Sequence, residues 1–349
     1  MVSRDKKILF RSLLAALVIG LGVNIGFAAF MDFADIRDSL GRVDFWVLSV
    51  PFACYFLIYL VDSARLGLVL RQFGTKIGFR EAFYNSVATA LFSNLTPFAS
   101  GGQPYQIYHL VSLGIDTRKA TNVVLSRYVE FMFTALVIFL LGIPTALRLA
   151  GTMSVGKEPF FVGLAVTFIV SIFFILALVR PDWIGRVLLR AGDGILGKPL
   201  GRIAGNRDWA ADFHRWSVML KEETAFLWTE KLPVMLADVT LGVLNLALQA
   251  ASLTYVLARL TPLSASVADI LVAFVIINLV VYYVPTPGAS GSVEGAYIWV
   301  FSGMTGVPGM TAVAVLMWRV ATYYFHILFG LIFFILRSSL KNTARRSIT

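Results

Sequence analysis

The chain has 349 residues, 58% of them hydrophobic and 14% charged, with a mean hydropathy of +0.78. A soluble domain carries about 45–50% apolar and about 25% charged residues, so a water-soluble globule is excluded: its core would exceed what a chain of this size can enclose. The net charge of +10 lies mostly between the apolar runs, as positive-inside bias and attraction to anionic lipid require; no basic helix or RNA-binding motif stands clear of them, which argues against nucleic acid as a partner.

The apolar residues fall in runs of roughly 18–25, long enough to cross about 30 Å of hydrocarbon as helix, and the alternation of an outer-membrane barrel is missing. The expected fold is all-α, a polytopic membrane bundle. The first run, Ile8 to Phe30, follows Arg4, Lys6 and Lys7. It is long for a signal peptide and no convincing cleavage site follows, so it reads as a retained helix with its N-terminus inside. The later runs are Phe45 to Leu70, Ala82 to Phe98, Thr121 to Ala150, Phe160 to Val179, Leu232 to Leu260, Val267 to Val284 and Met310 to Leu336.

Charge decides which runs span. Asp32, Asp35, Asp38 and Asp44 mark an outside segment, whereas Arg65, Arg71, Lys76 and Arg80, then Arg118 and Lys119, mark inside ones. The stretch from Arg180 to Lys231 and the closing Arg337, Lys341, Arg345 and Arg346 also read as inside. Within the former, Trp209, Phe213, Trp216 and Leu220 recur at helical spacing; this amphipathic helix lies at the interface or packs on the bundle. If Ala82 to Phe98 crossed completely, Arg118 and Lys119 would fall outside. The conflict disappears if the run breaks at Asn94-Leu-Thr-Pro97-Phe-Ala-Ser-Gly101-Gly102-Gln103-Pro104 and returns through Leu113, since proline removes a helix donor and glycine permits unusual backbone angles. Likewise Val267 to Val284 meets Pro285-Thr-Pro287-Gly288-Ala-Ser-Gly291-Ser-Val-Glu294, and Gly295 to Met304 returns.

The two breaks form an internal repeat. Glu81 precedes Pro97 by the spacing at which Asp269 precedes Pro285, and beyond each break an apolar helix carries an arginine, Arg127 or Arg319. The expected organisation is one transmembrane domain over 1–349, with about six spans and two broken re-entrant hairpins. Its first repeat covers about 45–150, the amphipathic inside segment about 181–231 and the second repeat about 232–337. The deduced orientations are opposite, and inverted repeats with interrupted helices point to a transporter site near the midplane.

Irregular backbone at membrane depth survives only where it is buried in protein or lines a watered cavity. The two breaks should therefore meet in the interior, with the amides near Gly102–Gln103 and Gly291–Val293 facing a ligand; the competing reading is that they are kinks satisfied by neighbouring helices. An intramembrane arginine is costly unless paired or watered, and its planar fork matches phosphate. Arg127 and Arg319 are therefore candidates to bracket a headgroup. For Arg127, an ion pair with Glu130 one turn away, or snorkelling, competes with that role. Glu294 has a structural pairing, a coupling proton or an amine contact as alternatives. Gln103, Asn94 and Tyr282 can supply neutral hydrogen bonds, while Asn245, Gln249 and Asn278 read as glue between helices. His109, His214 and His326 lack metal-ligand spacing, and Cys54 alone in an apolar run excludes an internal disulfide and a cysteine cage. No cofactor, metal or nucleophile motif is expected.

Taken together, Asn94…Pro97…Gly101-Gly102 and Pro285-x-Pro287-Gly288-x-x-Gly291-x-x-Glu294 resemble the lysylphosphatidylglycerol synthase transmembrane-region family, a flippase-like domain, over essentially the whole chain. The resemblance implies movement of modified or glycosylated lipids between leaflets, as in the flippase half of the multiple peptide resistance factor and in hopanoid-associated proteins. The aminoacyl-transfer domain fused in some relatives is not expected, because the chain stops soon after Leu336. Gln103-Pro104 replaces a less rigid, often basic stretch of the family pattern. The expected function is a lipid flippase of the cell inner membrane, with both termini cytoplasmic and anionic headgroups as partners. Its substrate-binding residues would be Arg127, Arg319, Glu294, Asn94, Gly101, Gly102, Gln103, Pro285, Pro287, Gly288, Gly291 and Glu130. The alternatives are a membrane enzyme or accessory subunit of lipid-linked glycan synthesis, and a channel.

Overall fold

The computed structural model describes residues 37–39, 41–152, 209–281, 286 and 288–346, with scattered positions within 18–26 and 165–187. The run Ile8 to Phe30, the run Phe160 to Val179 and most of 181–208 lie largely outside the described residues, as do Tyr282, Pro285 and Pro287. Every regular element among the described residues is helical. Four stretches, Phe45–Phe73, Thr117–Leu141, Leu232–Leu260 and Pro308–Arg337, are long and apolar enough to cross a membrane. The chain is a multi-pass membrane protein.

Helix α1, Phe45–Leu70, starts where the Asp44 carboxylate accepts from the Val47 amide at 3.0 Å, satisfying one of the donors that a helix start leaves open. Helix α2, Phe79–Leu95, turns back into α3, Gly102–Ser112. Helix α4 covers Thr117–Leu141 and is capped by Asp116; α5, Ile143–Thr152, continues it after Gly142. The expected single run Thr121 to Ala150 divides there because Pro144 lacks the N–H that would continue α4, and a Cβ on Gly142 would lie 2.5 Å from the Val272 side chain. Helix α6, Trp209–Glu230, is the expected amphipathic segment. It packs on the bundle: Leu220 and Leu227 are buried, and the Asn122 amide of α4 donates to Leu220 O at 3.2 Å.

Helix α7, Leu232–Leu260, packs along α1. Helix α8, Val267–Val281, leads through the second turn into α9, Ser292–Thr305, and α10, Pro308–Arg319. The expected run Met310 to Leu336 is interrupted by a π-helical turn at Val320–Tyr324 before α11, Phe325–Arg346. Such single π-turns recur at functional sites and re-aim one side chain. Here that side chain is Tyr323.

Among the described residues three apolar cores result, the smallest joining Leu91 and Leu95 of α2 to Tyr323 and Ile327. One gathers α7 to α10 around Phe274, Tyr297, Phe301 and Trp318, and the Trp318 indole donates to Ser252 of α7 at 2.9 Å. Another gathers α1 to α4 with α6 and α7 around Leu66, Leu110, Val123 and Met235. The expected glue residue Asn278 joins α8 to α9 by donating to the Tyr297 hydroxyl at 2.6 Å.

The first turn is built by close approach. Phe98 and Ala99 take φ of 57° and 50°, a left-handed pair that costs energy outside glycine. The Gly101 amide donates to Thr96 Oγ1 at 2.8 Å, which closes the turn. A Cβ on Gly102 would lie 2.0 Å from Ser93 Oγ and 2.9 Å from Thr89 O, so only glycine lets α3 start against α2. Asn85 of α2 then donates to Gln106 O of α3 at 3.2 Å, and Phe92 stacks on Tyr105. Gly102→Ala should therefore lower the stability of the detergent-solubilised protein by about 1–3 kcal/mol, the usual cost of overpacking. Gly67→Ala, inside α1 with only Ile77 Cγ2 within 4.0 Å of the new Cβ, should not lower the thermal midpoint in the same unfolding experiment.

Candidate functional site

Charged side chains from three spanning helices meet inside the bundle. Arg65, near the end of α1, donates from Nε to Asp238 Oδ1 of α7 at 2.8 Å and from Nη2 to Glu130 Oε1 of α4 at 2.7 Å. Arg127 donates from Nη2 to Asp62 Oδ1 at 2.8 Å, and the same oxygen accepts from Asn245 Nδ2 at 3.0 Å. The Arg65, Glu130 and Asp238 side chains are 8%, 2% and 0% exposed. At a rise of about 1.5 Å per residue, Arg127 and Glu130 stand about 15–20 Å along α4 from its start, whereas Arg65 and Asp238 lie within about 10 Å of the end of α1 and the start of α7.

Helix α7 approaches this cluster at Gly242. A Cβ there would lie 2.5 Å from Glu130 Oε1 and 2.9 Å from Arg65 Nη2.

Beside the network opens a cavity of about 820 Å³. Its charged wall is Asp62, Arg65, Arg127 and Glu130; the first turn faces it with Phe98, Ala99, Ser100 and Gln103; Phe213, Trp216 and Leu220 of α6 close one side. Five polar atoms of its lining are buried without a hydrogen-bond partner: Ser86 Oγ, Thr89 Oγ1, Arg127 Nε, Glu130 Oε2 and Asn245 Oδ1. Unmet donors and acceptors converging on one space are what a polar ligand satisfies.

The second turn is a different kind of structure. Glu294 accepts from the Gly291 amide through Oε2 at 2.6 Å and from Arg319 Nε through Oε1 at 2.8 Å. The Arg319 fork also reaches Gly288 O at 3.2 Å and Ser290 Oγ at 3.4 Å, and its guanidinium lies 4.2 Å from the Tyr323 ring centre. Of the expected alternatives for Glu294, a structural pairing is the geometry present. Gly288 fits against Tyr323, where a Cβ would fall 2.2 Å from the ring, and the Tyr323 hydroxyl donates to Asn94 O of the first break at 3.3 Å. The two breaks are thus joined through Tyr323.

Of the expected site residues, Arg127, Glu130 and Gln103 line the cavity. Asn94 and Gly288 contact Tyr323, Gly101 and Gly102 close the first hairpin, and Gly291, Glu294 and Arg319 hold the second turn. Arg127 pairs with Asp62 across helices, while Glu130 bonds to Arg65. Pro285 and Pro287 lie outside the described residues.

Asp62, Arg65 and Asp238 were missed by sequence reasoning. Arg65, read as flanking charge, belongs to α1 and is buried. The signal was present: each is an ionisable residue within an apolar run, the criterion that singled out Arg127.

The family model described as the lysylphosphatidylglycerol synthase TM region matches residues 13–330, and the chain belongs to that family. It is a membrane protein connected with lipid. No curated protein matches the chain.

Removing one partner of a buried ion network leaves the others unpaired, at a cost of about 3–5 kcal/mol. Arg65→Met should destabilise the protein by that much in detergent unfolding. Adding Asp238→Asn should restore part of the loss, read as coupling in a double-mutant cycle.

Proposed function

We propose that this member of the lysylphosphatidylglycerol synthase TM region family moves a lipid between leaflets, holding the headgroup in the cavity of α1, α2, α4, α6 and α7. The observation that carries this reading is the set of unpartnered polar atoms, Ser86 Oγ, Thr89 Oγ1, Arg127 Nε and Asn245 Oδ1, in an otherwise largely apolar cavity of about 820 Å³. A headgroup is the part of a lipid that needs such a place during transit, because its polar groups cannot cross hydrocarbon unpaired.

The orphan atoms also define headgroup chemistry. A phosphodiester, which only accepts, answers Arg127 Nε and the first-turn end of α3. It offers nothing to the acceptor Asn245 Oδ1. The substrate that satisfies both sets carries a phosphate followed by a hydroxyl- or amine-bearing group, as in an aminoacylated or glycosylated lipid. Gln103 stands on the side of the first turn and Asn245 on the side of the carboxylates, so the two amides grip opposite ends of that headgroup.

The two turns support an inverted-repeat reading. Gly288 and Ala289 take φ of 56° and 52°, matching Phe98 and Ala99, and the matched sequences are Pro97-Phe-Ala-Ser-Gly101 and Pro287-Gly-Ala-Ser-Gly291. The equivalence therefore pairs Pro97 with Pro287 rather than with Pro285. In the orientation set by the positive-inside rule, with both termini cytoplasmic in the cell inner membrane, α6 lies on the inner side and the cavity faces inward. The Arg319–Glu294 turn is then the closed counterpart of the open one.

Leaflet exchange of fluorescent phosphatidylglycerol in proteoliposomes, followed by dithionite quenching, tests this reading. Wild-type protein should accelerate exchange, and Arg127→Ala or Gln103→Leu should reduce it by about tenfold or more, the effect of losing about 1.4 kcal/mol at the site. Equal exchange by protein-free and wild-type vesicles, repeated with an aminoacylated and a glycosylated lipid, would overturn it.

A further inference from the structure

The charges at the cavity do not balance. Asp62, Glu130 and Asp238 face only Arg65 and Arg127. Arg65 occupies one oxygen of Glu130 and one of Asp238. Their second oxygens, Glu130 Oε2 and Asp238 Oδ2, are buried and receive no donor, while the one Arg65 guanidinium holds the two carboxyls side by side. Two facing acceptors in a space of low dielectric repel unless something supplies a hydrogen between them.

We propose that Glu130 and Asp238 together bind one proton, and that loading and unloading of this proton couples a pH gradient to lipid movement. The second half rests on the transport reading above; the first half does not. The groups facing the pair are Asp62 and Arg65 from α1, Arg127 from α4 itself, and Asn245 further along α7. From α3 the cavity receives Gln106, and from α6 Phe213, Trp216 and Leu220, none of them a charged group. Glu223 of α6 stands with Asp116, Arg118 and Lys119 at the start of α4, and His109 of α3 stands with Glu81.

With the proton in place, an O–H···O bond joins α4 to α7 and the five groups sum to zero charge. Glu130 lines the cavity whereas Asp238 does not, so the proton leaves through Glu130 to cavity water, which becomes hydronium; no bond other than O–H is broken. The cluster is then left with one surplus negative charge. Arg127 is poised to answer it, because its Nε has no hydrogen-bond partner and already lies 3.9 Å from Asp238 Oδ2. A shift of Arg127 toward Asp238 loosens its bond to Asp62, which is 34% exposed. Asp62 keeps Asn245 and Arg65 as donors and gains room to accept from a headgroup.

Two measurements on full-length protein in phosphatidylglycerol–phosphatidylcholine liposomes test this. In infrared difference spectra between acid and alkaline pH, a protonated-carboxyl C=O band should titrate, shift in D2O, vanish in Glu130→Gln and weaken or move in Asp238→Asn. A titrating band unchanged in both variants, or no titrating band in wild type, overturns the proton site. In exchange assays with fluorescent phosphatidylglycerol or its aminoacylated form, an imposed pH gradient should change the wild-type rate several-fold. The rates of Glu130→Gln with and without the gradient should be equal. A band that behaves as expected beside gradient-insensitive wild-type exchange overturns the coupling. Absence of exchange in every condition defeats the transport reading and the coupling, while the infrared result still decides the proton site.

Discussion

Two guanidiniums and three carboxylates share one space in the middle of a membrane protein, and the first half of the fold is arranged around keeping them satisfied. An unpaired charge at that depth costs several kcal/mol or more. Pairing is therefore not optional, and Arg65 accomplishes most of it by bonding to α4 and α7 at once. Its demands propagate outward. Helix α7 presents Gly242 where a Cβ would displace the paired Glu130 and Arg65 ends, and Asp62, one turn before Arg65 on α1, receives Arg127. The cavity lies beside the network because the network is incompletely satisfied on that side.

The two halves use the same local device for different ends. In each, a proline is followed by two residues with positive φ, then Ser-Gly or its equivalent, and a new helix. In the second, Glu294 caps the restarted helix while binding Arg319, and Tyr323 fills the space against Gly288. Little polar capacity is left over there. The first turn has no such plug, so Phe98, Ala99, Ser100 and Gln103 face open space. The π-turn at Val320–Tyr324 sets Tyr323 between Gly288 and Asn94. A change at either turn is therefore felt by the other through one aromatic side chain.

Much of this was legible in the sequence. Arginines within apolar runs and Pro/Gly breaks flagged Arg127, Arg319, Glu294 and both turns, because hydrocarbon makes each of them costly unless something compensates. What the compensation is could not be read. Whether Arg319 meets a ligand or a turn depends on which acceptors its guanidinium reaches, and Glu294 and Gly288 are brought to it only by the fold of the second turn and α9. Arg65 was misassigned because it stands near the end of its run, where a basic residue ordinarily reaches the interface. Asp238 sits equally near the start of α7. Their partnership spans 173 residues, about half of the chain, and leaves no local pattern. Helix ends moved by a few residues for the usual reason: caps such as Asp116, and close approaches such as Gly142 to Val272, are settled by geometry rather than hydropathy.

The central claim is that a lipid headgroup occupies the cavity next to Arg127. The most direct measurement is a density map of the protein purified with its native lipids, paired with mass spectrometry of whatever lipid remains bound. The expected result is a headgroup between Arg127, Asn245 and Gln103, belonging to a lipid that carries hydroxyl or amine groups beyond its phosphate. An empty cavity with the headgroup bound instead at Arg319 and Glu294, or lipid found only on the outer perimeter, would contradict it.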